Sequence, residues 1–106
     1  MIRHLVLFKF KPTTTREQRR LLAATFEQLA SQIAGVRRIE VYEDMLRLED
    51  SFDMAVFVLL ADRASLHRYG ESPERQAASQ MARAFCERVV LFDHELEDES
   101  TGGVGP

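Results

Sequence analysis

Phe52-Asp53-Met54-Ala55-Val56-Phe57-Val58-Leu59-Leu60 is the stretch on which the fold turns. It is rich in β-branched, aromatic and aliphatic residues, the build of a strand. Side chains alternate across a strand. Phe52, Met54, Val56, Val58 and Leu60 line one face, and Ala55, Phe57 and Leu59 line the other, where Asp53 alone is polar. Such a strand has no solvent face, so its sheet must be buried on both sides.

Working outward, Ile2 to Phe10 reads as a first strand ended by the turn Lys11-Pro12-Thr13. One face carries Ile2, His4, Val6, Phe8 and Phe10, and the other Arg3, Leu5, Leu7 and Lys9. Thr14-x-x-Glu17 fits a helix capping box. Leu22, Phe26, Leu29 and Ile33 then recur at helical period, and Gly35 suits the left-handed residue that ends a helix. Val36 to Glu43 is the second strand, and Leu46 to Ser51 a polar, acidic connection. Beyond the third strand, Ala64 to Tyr69 reads as a short helix. Ser72-Pro73 opens another, with serine as N-cap and proline at the first helical position, and Ala77, Ala78, Met81 and Phe85 form its apolar stripe. Val89 to Leu96 is the fourth strand. Residues 1–97 make one domain, and the acidic, glycine-containing tail 98–106 is expected to be disordered.

The order β-α-β-β-α-β predicts a ferredoxin-like α+β fold, a four-stranded antiparallel sheet with its helices on one face. The second face, with Leu5, Leu7, Ala55, Phe57 and Leu59, would lie bare in a monomer. Exposed apolar patches of that kind mark interfaces, and a chain of this length buries only about 65% of its unfolded surface alone. The expectation is a homodimer packed sheet to sheet through Leu5, Leu7, Phe57 and Leu59.

Composition narrows the function. The chain has 106 residues and a net charge of −3, without the basic stripe that nucleic-acid binding demands. No run approaches the roughly 20 apolar residues of a membrane span. Nor does the N-terminus have the build of a signal peptide. One cysteine, Cys86, allows no internal disulfide and suits a reducing cytoplasm. No histidines or carboxylates share a metal-ligand spacing. Glycine-rich phosphate loops and a G-x-S-x-G elbow are also missing. The expectation is a cytoplasmic protein without metal, cofactor, nucleic acid or membrane.

The opening Met1-Ile2-Arg3-His4-Leu5-Val6-Leu7-Phe8-Lys9-Phe10-Lys11 resembles the start of a stress-responsive A/B barrel (Dabb) domain. The likeness continues through Ile33-Ala34-Gly35-Val36, Phe52-Asp53-Met54-Ala55-Val56, Tyr69, Pro73 and Val89-Val90-Leu91-Phe92-Asp93. It implies a dimeric α+β barrel with a pocket in each protomer between sheet and helices. A plant polyketide cyclase similar to this family uses a tyrosine and a histidine there for acid–base chemistry. The family often shows Tyr, two residues, then His-Pro-x-His. Here Tyr69 and Pro73 match, while Ser72 and Arg75 stand where the two histidines would be. Arginine stays protonated and cannot serve as a base, so the cyclase-type base is absent.

His4 is either a pocket hydrogen-bonder or proton carrier, or a buried histidine bonded to a polar neighbour. Tyr69 could steady a developing oxyanion or simply pack with its hydroxyl at the surface. Together they are the candidate catalytic pair. Arg75 could clamp an anion or lie on the surface paired with Glu71 or Glu74. Phe8 and Met54 would line an apolar pocket or pack as core. His67 and His94 read as surface residues, and Cys86 as a buried inert thiol. Three functions follow: a binding module for a small hydrophobic or anionic molecule; a cofactor-free enzyme (cyclase, lyase or monooxygenase-like) on an aromatic or polyketide-like substrate; or a structural protein whose pocket is filled. A cavity of about 300 Å³ or more would favour ligand binding over the structural reading, and convergence of His4 and the Tyr69 hydroxyl on one point in it would favour the enzyme over the binding module.

Overall fold

Burial alternates along β1 (Ile2–Phe10): Ile2, His4, Val6, Phe8 and Phe10 are buried, and the residues between them are more open. The computed structural model describes residues 1–97. After β1 come α1 (Arg16–Gln32), β2 (Val36–Glu43), β3 (Met54–Leu60), α2 (Arg63–Glu71), α3 (Pro73–Phe85) and β4 (Cys86–Glu95). The strands form one antiparallel sheet in the order β2-β3-β1-β4. This is the ferredoxin-like arrangement, with the second helical connection divided at Ser72. The expected tail, 98–106, lies outside the described residues.

One core fills the space between sheet and helices. Val6, Phe8, Met54, Val56 and Leu60 from the sheet meet Leu22, Phe26 and Leu29 from α1 and Ala78 and Ala82 from α3. The other sheet face is bare. Leu5, Leu7, Ala55, Phe57 and Leu59 are half-buried there, and Tyr42 and Phe92 are 55% and 61% exposed. The register explains the grouping: Leu5 stands opposite both Phe57 and Phe92, and Tyr42 opposite Ala55.

Local chemistry moved several boundaries. The N-cap of α1 is Thr15, not Thr14, and its capping box closes with Gln18 rather than Glu17. Thr14 is buried instead, its hydroxyl donating to the Phe85 carbonyl at 2.6 Å. Phe52 and Asp53 precede β3 rather than belonging to it. The Asp53 carboxylate accepts the Phe10 amide at 2.8 Å, just beyond the last β1–β3 pair of Phe8 and Met54. In α3 the buried stripe is Ala78 and Ala82, with Ala77 exposed. Cys86 is the first residue of β4, which starts three residues before Val89 and ends at Glu95 rather than Leu96. Gly35 has φ +91° and turns the chain from α1 into β2.

Candidate functional site

A cavity of about 150 Å³ lies between the β1–β4 half of the sheet and the helices, smaller than the ~300 Å³ expected of a ligand pocket. Val6, Phe8, Phe26, Val89 and Leu91 give it apolar walls. His4, Tyr69, Arg75, Ser79 and Arg83 supply the polar ones.

His4 reaches the cavity because it sits on the inner face of β1. The antiparallel register sets Asp93 of β4 directly opposite, and opposed residues share a face. Asp93 Oδ1 bonds His4 Nδ1, tying the buried ring to a carboxylate that is itself partly exposed. A carboxylate accepts, so Nδ1 carries the proton, and in the neutral ring Nε2 is left as the acceptor.

Tyr69 comes from α2. Its ring meets that of His4 edge-on, with centroids 5.6 Å apart and planes at 63°. The residue is 1% exposed, and its hydroxyl has no hydrogen-bond partner among the described residues. Burial pushes its pKa up to about 12, against a smaller opposing pull from the Arg75 guanidinium. The hydroxyl is therefore a neutral donor at ordinary pH. Such a group inside a core carries a cost unless something bonds it.

Arg75, in the first turn of α3, places its guanidinium 5.9 Å from the Tyr69 ring centroid. It makes no ion pair with Glu71 or Glu74. Glu74 accepts from the Ser72 hydroxyl at 2.7 Å, and Glu71 lies 3.3 Å from His67. Ser72 caps α3 by accepting the Arg75 amide.

His4, Phe8, Tyr69 and Arg75 are thus brought together. Met54 is not: it is 2% exposed within the core, away from the cavity lining. Sequence reasoning missed Asp93, Ser79 and Arg83. Asp93 could have been found by counting both strands from their apolar alternation, and Ser79 and Arg83 by stepping four residues at a time from Arg75. His67 is exposed and His94 half-buried. Among the described residues no three metal-ligating side chains cluster, and no helix is long and apolar enough to cross a membrane. A broader concavity of about 770 Å³ lies on the bare sheet face, with Arg3, Tyr42, Phe57 and Leu59 in its lining.

Compared with known proteins, the chain matches the stress responsive A/B barrel domain over residues 2–96. An uncharacterized protein of Streptomyces coelicolor is 35% identical over 98 residues, which span 91% of this chain and 100% of that one. Among solved structures, the hydroxynitrile lyase of Passiflora edulis superposes with a TM-score of 0.82 at 17% identity, covering 92% of this chain and 94% of that one. A dimeric ferredoxin-like protein of unknown function from Thermobifida fusca gives 0.80 at 22% identity, covering 90% of each. At these identities the structural likeness speaks for the fold.

Proposed function

Because the chain belongs to the stress-responsive A/B barrel domain family, we propose that it works as a cytoplasmic homodimer in which each protomer binds a small molecule in the cavity between sheet and helices. One observation carries the binding reading: Tyr69, whose buried hydroxyl has no partner among the described residues, lines the same 150 Å³ cavity as His4. A cavity of roughly that size is enough for a benzene-sized ring. A purely structural protein would gain by filling the space and replacing the tyrosine with phenylalanine.

Dimerisation is supported by the bare face and by a dimeric neighbour in the same fold. Each large apolar side chain covered is worth about 1.5–3 kcal/mol, and Leu5, Leu7, Phe57 and Leu59 are available together. Light scattering should give twice the 12.2 kDa of one chain. A monomer at micromolar concentration would remove this part.

For binding, single-ring fragments titrated into labelled protein should shift the backbone signals of Ser79 and Ala82. Ala82→Leu, which fills the cavity, should abolish the effect. If no fragment moves these signals, the cavity is not a binding site.

A second reading, cofactor-free acid–base catalysis, is favoured by the Asp93–His4 pair. His4 Nε2 would take a proton from carbon beside a substrate carbonyl while the Tyr69 hydroxyl donates to the developing oxyanion, and the proton would return on collapse. Deuterium exchange into a bound single-ring ketone should then be lost in His4→Gln with binding retained. Equal exchange in both proteins would exclude it.

A further inference from the structure

The polar groups of the cavity are unbalanced. Arg75, Ser79 and Arg83 stand four residues apart along α3, so they share one stripe of the helix, and all three line the cavity. Neither guanidinium has an ion-pair partner among the described residues. The acids nearest Arg75 in sequence are engaged elsewhere: Glu74 with the Ser72 hydroxyl and Glu71 with His67. Asp93 is held by His4. Among the described residues no acidic side chain lines the cavity, which leaves two cations over an apolar chamber.

Exposure orders these groups by depth. Tyr69 and His4 are buried, Arg75 is half-buried and Arg83 is exposed. The hydroxyl and imidazole therefore lie inside and the cations toward solvent. Phe8 and Phe26, whose ring centroids are 5.5 Å apart, line the cavity as well.

Resting on the binding function proposed above, we infer that the ligand is a small organic carboxylate built on a single ring. Its carboxylate lies at the mouth against Arg75 and Arg83, and its ring packs on Phe8 and Phe26. A guanidinium matches a carboxylate with paired donors. Ser79 stands between the two arginines and can donate a further bond. The volume sets the upper size, because a benzene-sized body already occupies about 150 Å³. A polar ring substituent would meet the Tyr69 hydroxyl and His4.

The test compares benzoate with benzamide, which has the same shape but no charge, followed through the Ser79 and Ala82 amide signals up to ~10 mM. Benzoate should bind about tenfold more tightly than benzamide. The double variant Arg75→Gln, Arg83→Gln should lose that advantage while binding benzamide as wild type does, and added salt should weaken benzoate alone. Unchanged benzamide binding shows that the double variant retains its cavity. Equal affinity of the two probes, or benzoate affinity untouched by the double substitution, overturns the anion clamp and leaves ring binding intact. If neither probe shifts the signals while other single-ring fragments do, the carboxylate class is wrong. If no fragment shifts them, the binding function itself fails.

Discussion

Replacing Tyr69 with phenylalanine should make the protein more stable and its cavity less able to bind. The hydroxyl is hydrated in the unfolded chain and has no partner among the described residues in the folded one. A buried donor left unbonded costs about 1–3 kcal/mol. At the lower end of that range the variant gains about 1 kcal/mol. The ring keeps its packing on His4 and beneath the Arg75 guanidinium. For a domain near 100 residues, 1 kcal/mol raises Tm by about 4–8 °C. Thermal and urea melts of both proteins at pH 7 measure this directly. The pH dependence adds a second reading. Tyr69 titrates near 10 when unfolded and near 12 when folded. Its contribution is fully present below pH 10 and is lost as pH rises from 10 to 12, because the unfolded state ionises first. The advantage of the variant should therefore widen in that window, by up to about 3 kcal/mol. A variant that melts more than about 3 °C below wild type at pH 7 would refute the reasoning, because the hydroxyl would then have a partner worth keeping.

Phe57→Asp puts a charge into the bare sheet face opposite Leu5; with about 1.5–3 kcal/mol lost per copy, light scattering should report the 12.2 kDa monomer with far-UV circular dichroism unchanged, and a persistent dimer would take this face out of the interface. Gly35→Ala should cost about 2 kcal/mol or more in urea unfolding: its Cβ would lie 2.3 Å from Ser65 Oγ at a φ of +91°, and an unchanged midpoint would contradict that close approach. Burial, with a smaller push from Asp53, raises the Cys86 thiol to about 11, so a disulfide reagent at pH 8 should label it only as fast as β4 opens; prompt labelling of native protein would place the thiol at the surface.

The strand that opened the sequence reading shows why much of the fold was legible. An apolar residue at every position of Met54–Leu60 leaves a single structural solution, a sheet covered twice. Boundaries were less legible where two residues offered the same chemistry. Thr14 and Thr15 can both cap, and the contest is decided by the distant Phe85 carbonyl that takes the Thr14 hydroxyl. The passage from α3 into β4 carries no glycine or proline, so nothing local marks Cys86 as strand. The site was legible in its members and not in its pairings. His4 and Tyr69 could be named from one strand and one motif, but Asp93 needed the register across a sheet containing a bulge. For Arg75 the sequence offered an anion clamp or a surface pairing with Glu71 or Glu74, and those carboxylates lie elsewhere, Glu74 on the Ser72 hydroxyl and Glu71 beside His67.

β4 is the outermost strand on its side of the sheet, and it serves two rooms with one wall. Val89 and Leu91 face the cavity, Asp93 faces His4, and the alternate residues Val90, Phe92 and His94 face the bare side. Like β2 it is an edge strand, paired on one side only among the described residues. A guest leaning on Leu91 would press on the same backbone that carries Phe92. In a sheet-to-sheet pair, Phe92 would carry that push toward the neighbouring subunit. Occupancy on one side could then be felt on the other without any loop or hinge, and by thermodynamic reciprocity the neighbour's grip would alter the guest's.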